Sequence, residues 1–131
     1  MLIRREFTVD CPPDEAWDAL RDVGSLPTRL VRGFVTDCVL TDGVRTVTFA
    51  NGMTVQERIV SVDDELRRLA YSATGGRTTH HHAVVEVQDA GDKSRLVWFV
   101  DLLPDDMGSA IAAMMDAAVV AMTATLGAGR S

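Results

Sequence analysis

Apolar and polar positions alternate along most of this chain, and the period changes where turn residues fall. Over residues 2–10, Ile3, Arg5, Phe7 and Val9 share one parity while Arg4, Glu6, Thr8 and Asp10 share the other. That alternation predicts a strand, with Arg5 a charged intruder on its apolar face. After Cys11, Pro12-Pro13-Asp14-Glu15 opens a helix, because proline is tolerated in a first helical turn and acidic side chains complement its free N–H groups. Trp17 and Leu20 form the buried side of that helix. Gly24 and Pro27 then limit residues 23–30 to one short, irregular helix ending before Gly33.

Beyond Gly33 the two-residue period returns. It predicts strands over residues 34–40, 45–49, 53–62, 67–73, 81–88 and 94–103, separated by Asp42-Gly43, Asn51-Gly52, Asp63-Asp64, Gly75-Gly76 and Ala90-Gly91-Asp92, residues that accept hairpin geometry. Pro104, Asp105 and Asp106 open a final helix that runs to about residue 125, with Gly127 and Gly129 ending it. One strand, two helices, six strands and one long helix is an α+β order. Seven antiparallel strands must cover one face of their sheet. The final helix, at ~30 Å, is long enough to do so, and the sheet is expected to curl around it.

The final helix carries a second message. Between Ala110 and Leu126 its one ionisable residue is Asp116. A central aspartate and many alanines and threonines argue against a membrane span. Met107, Ile111, Met114, Ala118, Met122 and Thr125 form a stripe facing the sheet. Ala112, Met115 and Val119 form another, which in water would be a large apolar patch. The expected cover is the same helix of a second subunit, giving a homodimer. Val97 and Phe99, on the outer face of the last strand, are an alternative contact.

Composition narrows the partners. At 131 residues, 24% charged and 47% hydrophobic, the chain reads as a single soluble domain over 1–131. Nineteen acidic against thirteen basic side chains give a formal charge of −6, the wrong sign for nucleic acid or an anionic membrane. Cys11 and Cys38 lack C-x-x-C spacing, so neither a zinc ribbon nor a multiply bridged scaffold is expected, and a reducing cytoplasm fits. The residues after Met1 lack an apolar run of signal-peptide length, which also predicts a cytoplasmic protein. Lys93 is the sole lysine beside many arginines and alanines, a bias suited to a GC-rich bacterial genome. No nucleophile elbow, Walker loop, dinucleotide fingerprint or H-E-x-x-H string is present, and no cofactor is expected.

Strand parity sorts the residues that could carry chemistry. Glu57 shares a face with Met53, Val55 and Ile59 and is predicted to point inward. A turn around Asp63 to Glu65 would set Ile59 opposite Leu69 and Glu57 opposite Tyr71, bringing a carboxylate to a phenol. A carboxylate in an apolar hollow can act as acid, base or ligand anchor; the alternative is a structural glutamate tied to a neighbouring arginine. In His80-His81-His82, parity with Ala83, Val85 and Val87 turns His81 inward near that pair and His80 and His82 outward. Two histidines without a third ligand do not predict a metal site. Trp98 shares its face with Leu96, Val100 and Leu102. Arg45 is a second-tier candidate whose direction depends on register.

The element order, together with Pro12-Pro13-Asp14-Glu15-Ala16-Trp17, Val44-Arg45-Thr46-Val47, and Val55-Gln56-Glu57-Arg58-Ile59 running through Asp63-Asp64 to Tyr71, resembles the START-like superfamily of helix-grip proteins. Within this superfamily, also called SRPBCC, the chain is most similar to the polyketide cyclase/dehydrase and lipid-transport group. The stretch from Glu57 through Gly75-Gly76 also looks like plant abscisic-acid receptors. The chain departs from the group where Thr28, Arg29 and Leu30 follow Pro27, a place where members often carry tryptophan, and it is short for the group. The resemblance implies a helix-grip fold, a curved seven-stranded antiparallel sheet around a long C-terminal helix with two short helices after the first strand. It also implies a hollow between sheet and helix, here expected to be lined by Val55, Glu57, Tyr71, His81, Ala83, Trp98 and Met114. The implied function is binding of a small hydrophobic or amphipathic molecule that is polyketide-like, aromatic or lipid-like. One alternative is a cofactor-independent cyclase, dehydratase or aromatase, in which Glu57 or His81 removes a proton beside a carbonyl and Tyr71 donates to the oxyanion. Another is an interaction module acting through the final helix.

Overall fold

A computed structural model describes residues 1–128. Seven strands form one antiparallel sheet: β1 (Leu2–Val9), β2 (Val35–Thr41), β3 (Val44–Phe49), β4 (Thr54–Asp63), β5 (Arg68–Thr74), β6 (His80–Ala90) and β7 (Lys93–Leu103). Their spatial order is β1-β7-β6-β5-β4-β3-β2, so each hairpin from β2 to β7 pairs sequence neighbours and β1 returns to close the far side against β7. Helix α1 (Pro13–Arg21) and a π-helical turn (Leu26–Leu30) fill the connection from β1 to β2. The turn's signature is the Val31 N–H donating to the Leu26 carbonyl at 2.9 Å. Helix α2 (Gly108–Leu126) follows a 3-10 turn and lies over β1 and the π-helical turn. Gly127 follows its last residue; Gly129 lies outside the described residues. This is the helix-grip architecture the sequence leads one to expect.

The inner sheet face supplies Val47, Leu69, Ala83, Val85, Val87, Leu96, Val100 and Leu102, all nearly or wholly buried, against Ala16, Trp17 and Leu20 of α1 and Met115, Ala118 and Met122 of α2. Each Val or Leu buried in this way contributes about 1.5–3 kcal/mol of transfer free energy. Two charges that look misplaced in the sequence meet each other. Arg5, on the inner parity of β1, donates through Nε to Asp116 of α2 at 2.6 Å, at the rim where both reach solvent.

Two expectations need correction. The register of β4 on β5 sets Ile59 opposite Tyr71 and Glu57 opposite Ala73, rather than Leu69 and Tyr71 respectively. A β-bulge between Ile59 and Ser61 adds a residue to β4, and the turn is longer than expected, with Arg67 in the left-handed region at φ 50°. The second stripe of α2 is also not left in water. Met115 is 2% exposed and Ala112 and Val119 are partly buried, so the argument for a homodimer through that stripe lapses. An all-apolar helix has no polar face to fix its rotation, and here packing on β1 and the π-helical turn decides it. Ala110, Ala113, Asp116, Ala117, Val120 and Ala124 face outward. By length and composition the stretch Asp105–Leu126 would suffice to cross a membrane; in this fold its inner side packs on the sheet.

Candidate functional site

Between the concave sheet face, α1 with the π-helical turn, and α2 lies a cavity of about 110 Å³. Most of its wall is apolar: Leu20, Leu26, Leu30 and Val31 on one side, Val47, Phe49, Leu69 and Val85 from the sheet, and Ile111, Met114, Met115, Ala118 and Met122 from α2. Five polar or amphipathic side chains interrupt it, namely Arg45, Glu57, Tyr71, His81 and Trp98.

Arg45 and Glu57 stand directly opposite each other on β3 and β4, both on the inward parity, and pair at 2.7 Å between Nε and Oε1. The side chains are 4% and 12% exposed, so this is a buried ion pair. Nη1 of Arg45 donates to the Val23 carbonyl at 3.2 Å, and the guanidinium carbon sits 4.9 Å from the centre of the Tyr71 ring, a cation–π contact. Among the described residues, no hydrogen bond uses Nη2 of Arg45 or Oε2 of Glu57. The site therefore holds balanced charge with spare hydrogen-bonding capacity on both partners.

Tyr71 is enclosed, and its burial is the main reason its pKa is raised well above the usual phenol value. The negative charge of Glu57 adds to the rise, while Arg45 and the nearby indole N–H of Trp98 oppose it. The phenol is a neutral donor throughout the physiological range. His81 has a lowered pKa, first because burial penalises the imidazolium and then because His80 and His82 repel its charge. It is a neutral imidazole near pH 7. The Nε1–H of Trp98 is shielded from solvent and has no acceptor in hydrogen-bonding geometry among the described residues, whereas that of Trp17 donates to Asp64 at 2.9 Å. A buried donor left unpaired costs free energy, and a cavity beside it is where an acceptor would go.

Of the residues picked out from sequence, Glu57, Tyr71, His81, Trp98 and Met114 line the cavity. Val55 and Ala83 do not. Ala83 stands opposite Tyr71 in the ladder and is wholly buried, too short to reach past its neighbours; Val55 packs beside Gly75 and Gly76 at the end of β4. Glu57 is tied to an arginine, the alternative role weighed for it, and Tyr71 is its diagonal rather than direct neighbour. Sequence parity could have placed Arg45, which shares its face with the buried Val47 and Phe49. The wall built by Leu26, Leu30 and Val31 comes from an irregular turn without periodicity to read. His80 is exposed, and among the described residues no group of three His, Cys, Asp or Glu could hold a metal ion.

A family model described as polyketide cyclase / dehydrase and lipid transport matches residues 2–128. A crystal structure of a Bacillus thuringiensis protein superposes with a TM-score of 0.84 at 17% identity, covering 94% of this chain and 96% of that one. The aromatase/cyclase ZhuI of Streptomyces sp. R1128 superposes with a TM-score of 0.75 at 19% identity over 97% of this chain and 92% of its own. Norcoclaurine synthase of Thalictrum flavum, in complex with a transition-state analogue, gives 0.69 at 17% identity over 100% and 96%. At these identities the superpositions speak for the fold alone. No curated protein matches the chain.

Proposed function

Because the chain belongs to the polyketide cyclase/dehydrase and lipid-transport family, we propose that it binds a small, largely apolar molecule in the cavity between sheet and α2. One observation carries this reading: an apolar hollow is interrupted by a cluster of polar groups whose hydrogen-bonding capacity the protein itself leaves unused. Such groups are costly to keep in a structural core and useful for orienting a ligand. The relevant experiment is native mass spectrometry of freshly purified protein beside the cavity-filling variant Ala118→Leu. A co-purifying small molecule on the wild type that is absent from the folded variant supports the reading. Equal retention by both places the ligand elsewhere.

A second reading, a cyclase- or dehydratase-type enzyme, is favoured by the neutral state of His81. A neutral imidazole facing the cavity can accept a proton from carbon beside a carbonyl while the Tyr71 hydroxyl donates to the oxygen on which charge develops. Glu57 is the weaker candidate base, since its Oε1 is already engaged by Arg45 Nε at 2.7 Å. Turnover of a bound ketone that disappears in both His81→Gln and Tyr71→Phe, with binding retained, would establish catalysis.

A further inference from the structure

We infer that the cavity takes an uncharged molecule of single-ring size bearing a hydrogen-bond-accepting oxygen, a cyclic or aryl ketone being the simplest class, and turns away carboxylates and fused-ring molecules. The inference refines the ligand-binding reading and depends on it.

Size comes first. At about 110 Å³ the hollow is smaller than the ~150 Å³ apolar cavity known to hold benzene, so a molecule of about one ring is the most it admits. Charge comes second. Arg45 and Glu57 neutralise each other, so an anion entering beside them would meet a guanidinium whose charge is already compensated and the nearby Glu57 carboxylate, and a cation would face Arg45. Either would lose its hydration without gaining a free counter-charge. Hydrogen bonding comes third, and there donors predominate. The Trp98 N–H lies near the Tyr71 hydroxyl but has no acceptor in hydrogen-bonding geometry, the Tyr71 hydroxyl is protonated, and Arg45 has Nη2 to spare. A carbonyl oxygen, with two lone pairs and no proton, complements that set.

Four probes separate these elements: cyclohexanone, its hydrocarbon isostere methylenecyclohexane, cyclohexanecarboxylate, and the fused-ring ketone 2-decalone. Each is titrated into nitrogen-15-labelled protein, and cavity-residue shifts are followed with the two indole N–H signals, Trp98→Phe identifying which belongs to Trp98. Cyclohexanone should bind, and methylenecyclohexane should bind without moving the Trp98 signal toward hydrogen-bonded values. Carboxylate and decalone should leave the cavity signals unmoved. Tyr71→Phe should weaken cyclohexanone about three- to tenfold and leave methylenecyclohexane unchanged, the worth of one ordinary hydrogen bond. Equal binding of carboxylate and ketone, or of decalone and cyclohexanone, overturns the inference while leaving the ligand-binding reading intact. So does an equal response of ketone and hydrocarbon to Tyr71→Phe. Failure of both neutral one-ring probes to bind overturns inference and reading together. Should Tyr71→Phe not fold, the ranking of the four probes on the wild type remains a complete test.

Discussion

Replacing Glu57 with glutamine should destabilise this protein far more than a typical polar substitution, although shape and hydrogen-bonding reach are nearly kept. The change leaves Arg45 charged, 4% exposed and without its counter-charge. Opposite charges ~4 Å apart attract by about 4 kcal/mol at an effective dielectric of ~20. Breaking a buried pair from one side costs about 3–5 kcal/mol in general. The glutamine oxygen can still accept from Nε, and Arg45 keeps the Val23 carbonyl and the Tyr71 ring, so the lower end applies, about 3 kcal/mol. For a domain of this length that corresponds to a fall in Tm of roughly 10 °C. Removing both charges in Arg45→Met/Glu57→Leu should return the protein to within about 1 kcal/mol of wild type, since neither desolvation cost then remains. Urea denaturation followed by far-UV circular dichroism measures Glu57→Gln, the double variant and its two component single variants. A loss below about 1 kcal/mol for Glu57→Gln, or a double variant as unstable as the sum of Glu57→Leu and Arg45→Met, would refute the reasoning and make the pair a hydrated one.

Met115→Ala should cost about 2–5 kcal/mol in the same assay, and Met115→Glu should unfold the protein rather than alter the sedimentation of a folded species, because that side chain is interior. His81 has a depressed folded pKa, so the unfolded chain takes up its proton first: stability should decline as pH falls below about 6.5, level off once His81 itself is protonated, and lose this component in His81→Gln. An imidazole titration by NMR should show the His81 midpoint below 6.5. Arg21 and then Trp17 hold the Asp64 carboxyl below the usual carboxylate range, a contribution present above its unfolded pKa and lost as pH falls through the folded one. Asp64→Asn should therefore lower Tm at neutral pH by an amount that vanishes on acidification.

The inward direction of Glu57, His81 and Trp98 was legible from parity, because a strand's side chains alternate whatever its partners are. Which residue of β5 stands opposite Glu57 was not legible. Its neighbour depends on register, which the bulge at Ile59 and Ser61 and the left-handed Arg67 change by residues that no periodicity marks. The hairpin at Asp42-Gly43 shows the opposite case, since both residues adopt positive φ, 51° and 75°, and their identities announce it. For α2 the alternation of apolar residues was plain but pointed everywhere, and Met115 was placed by contacts with elements distant in sequence. The Leu26–Leu30 wall belongs to a π-helical turn, a conformation with no compositional signature to read.

The outward alanines of α2 bear on how a protein can keep a hollow at its centre. Alanine has the highest intrinsic helix propensity and surrenders no side-chain rotamers on folding, so Ala110, Ala113, Ala117 and Ala124 favour the helical backbone without help from what lies beneath. At 19 residues α2 also exceeds the ~12–15 residues below which an isolated helix is marginal. The wall over the cavity thus owes part of its persistence to local backbone preference, and does not depend wholly on side chains packed into the space beneath it.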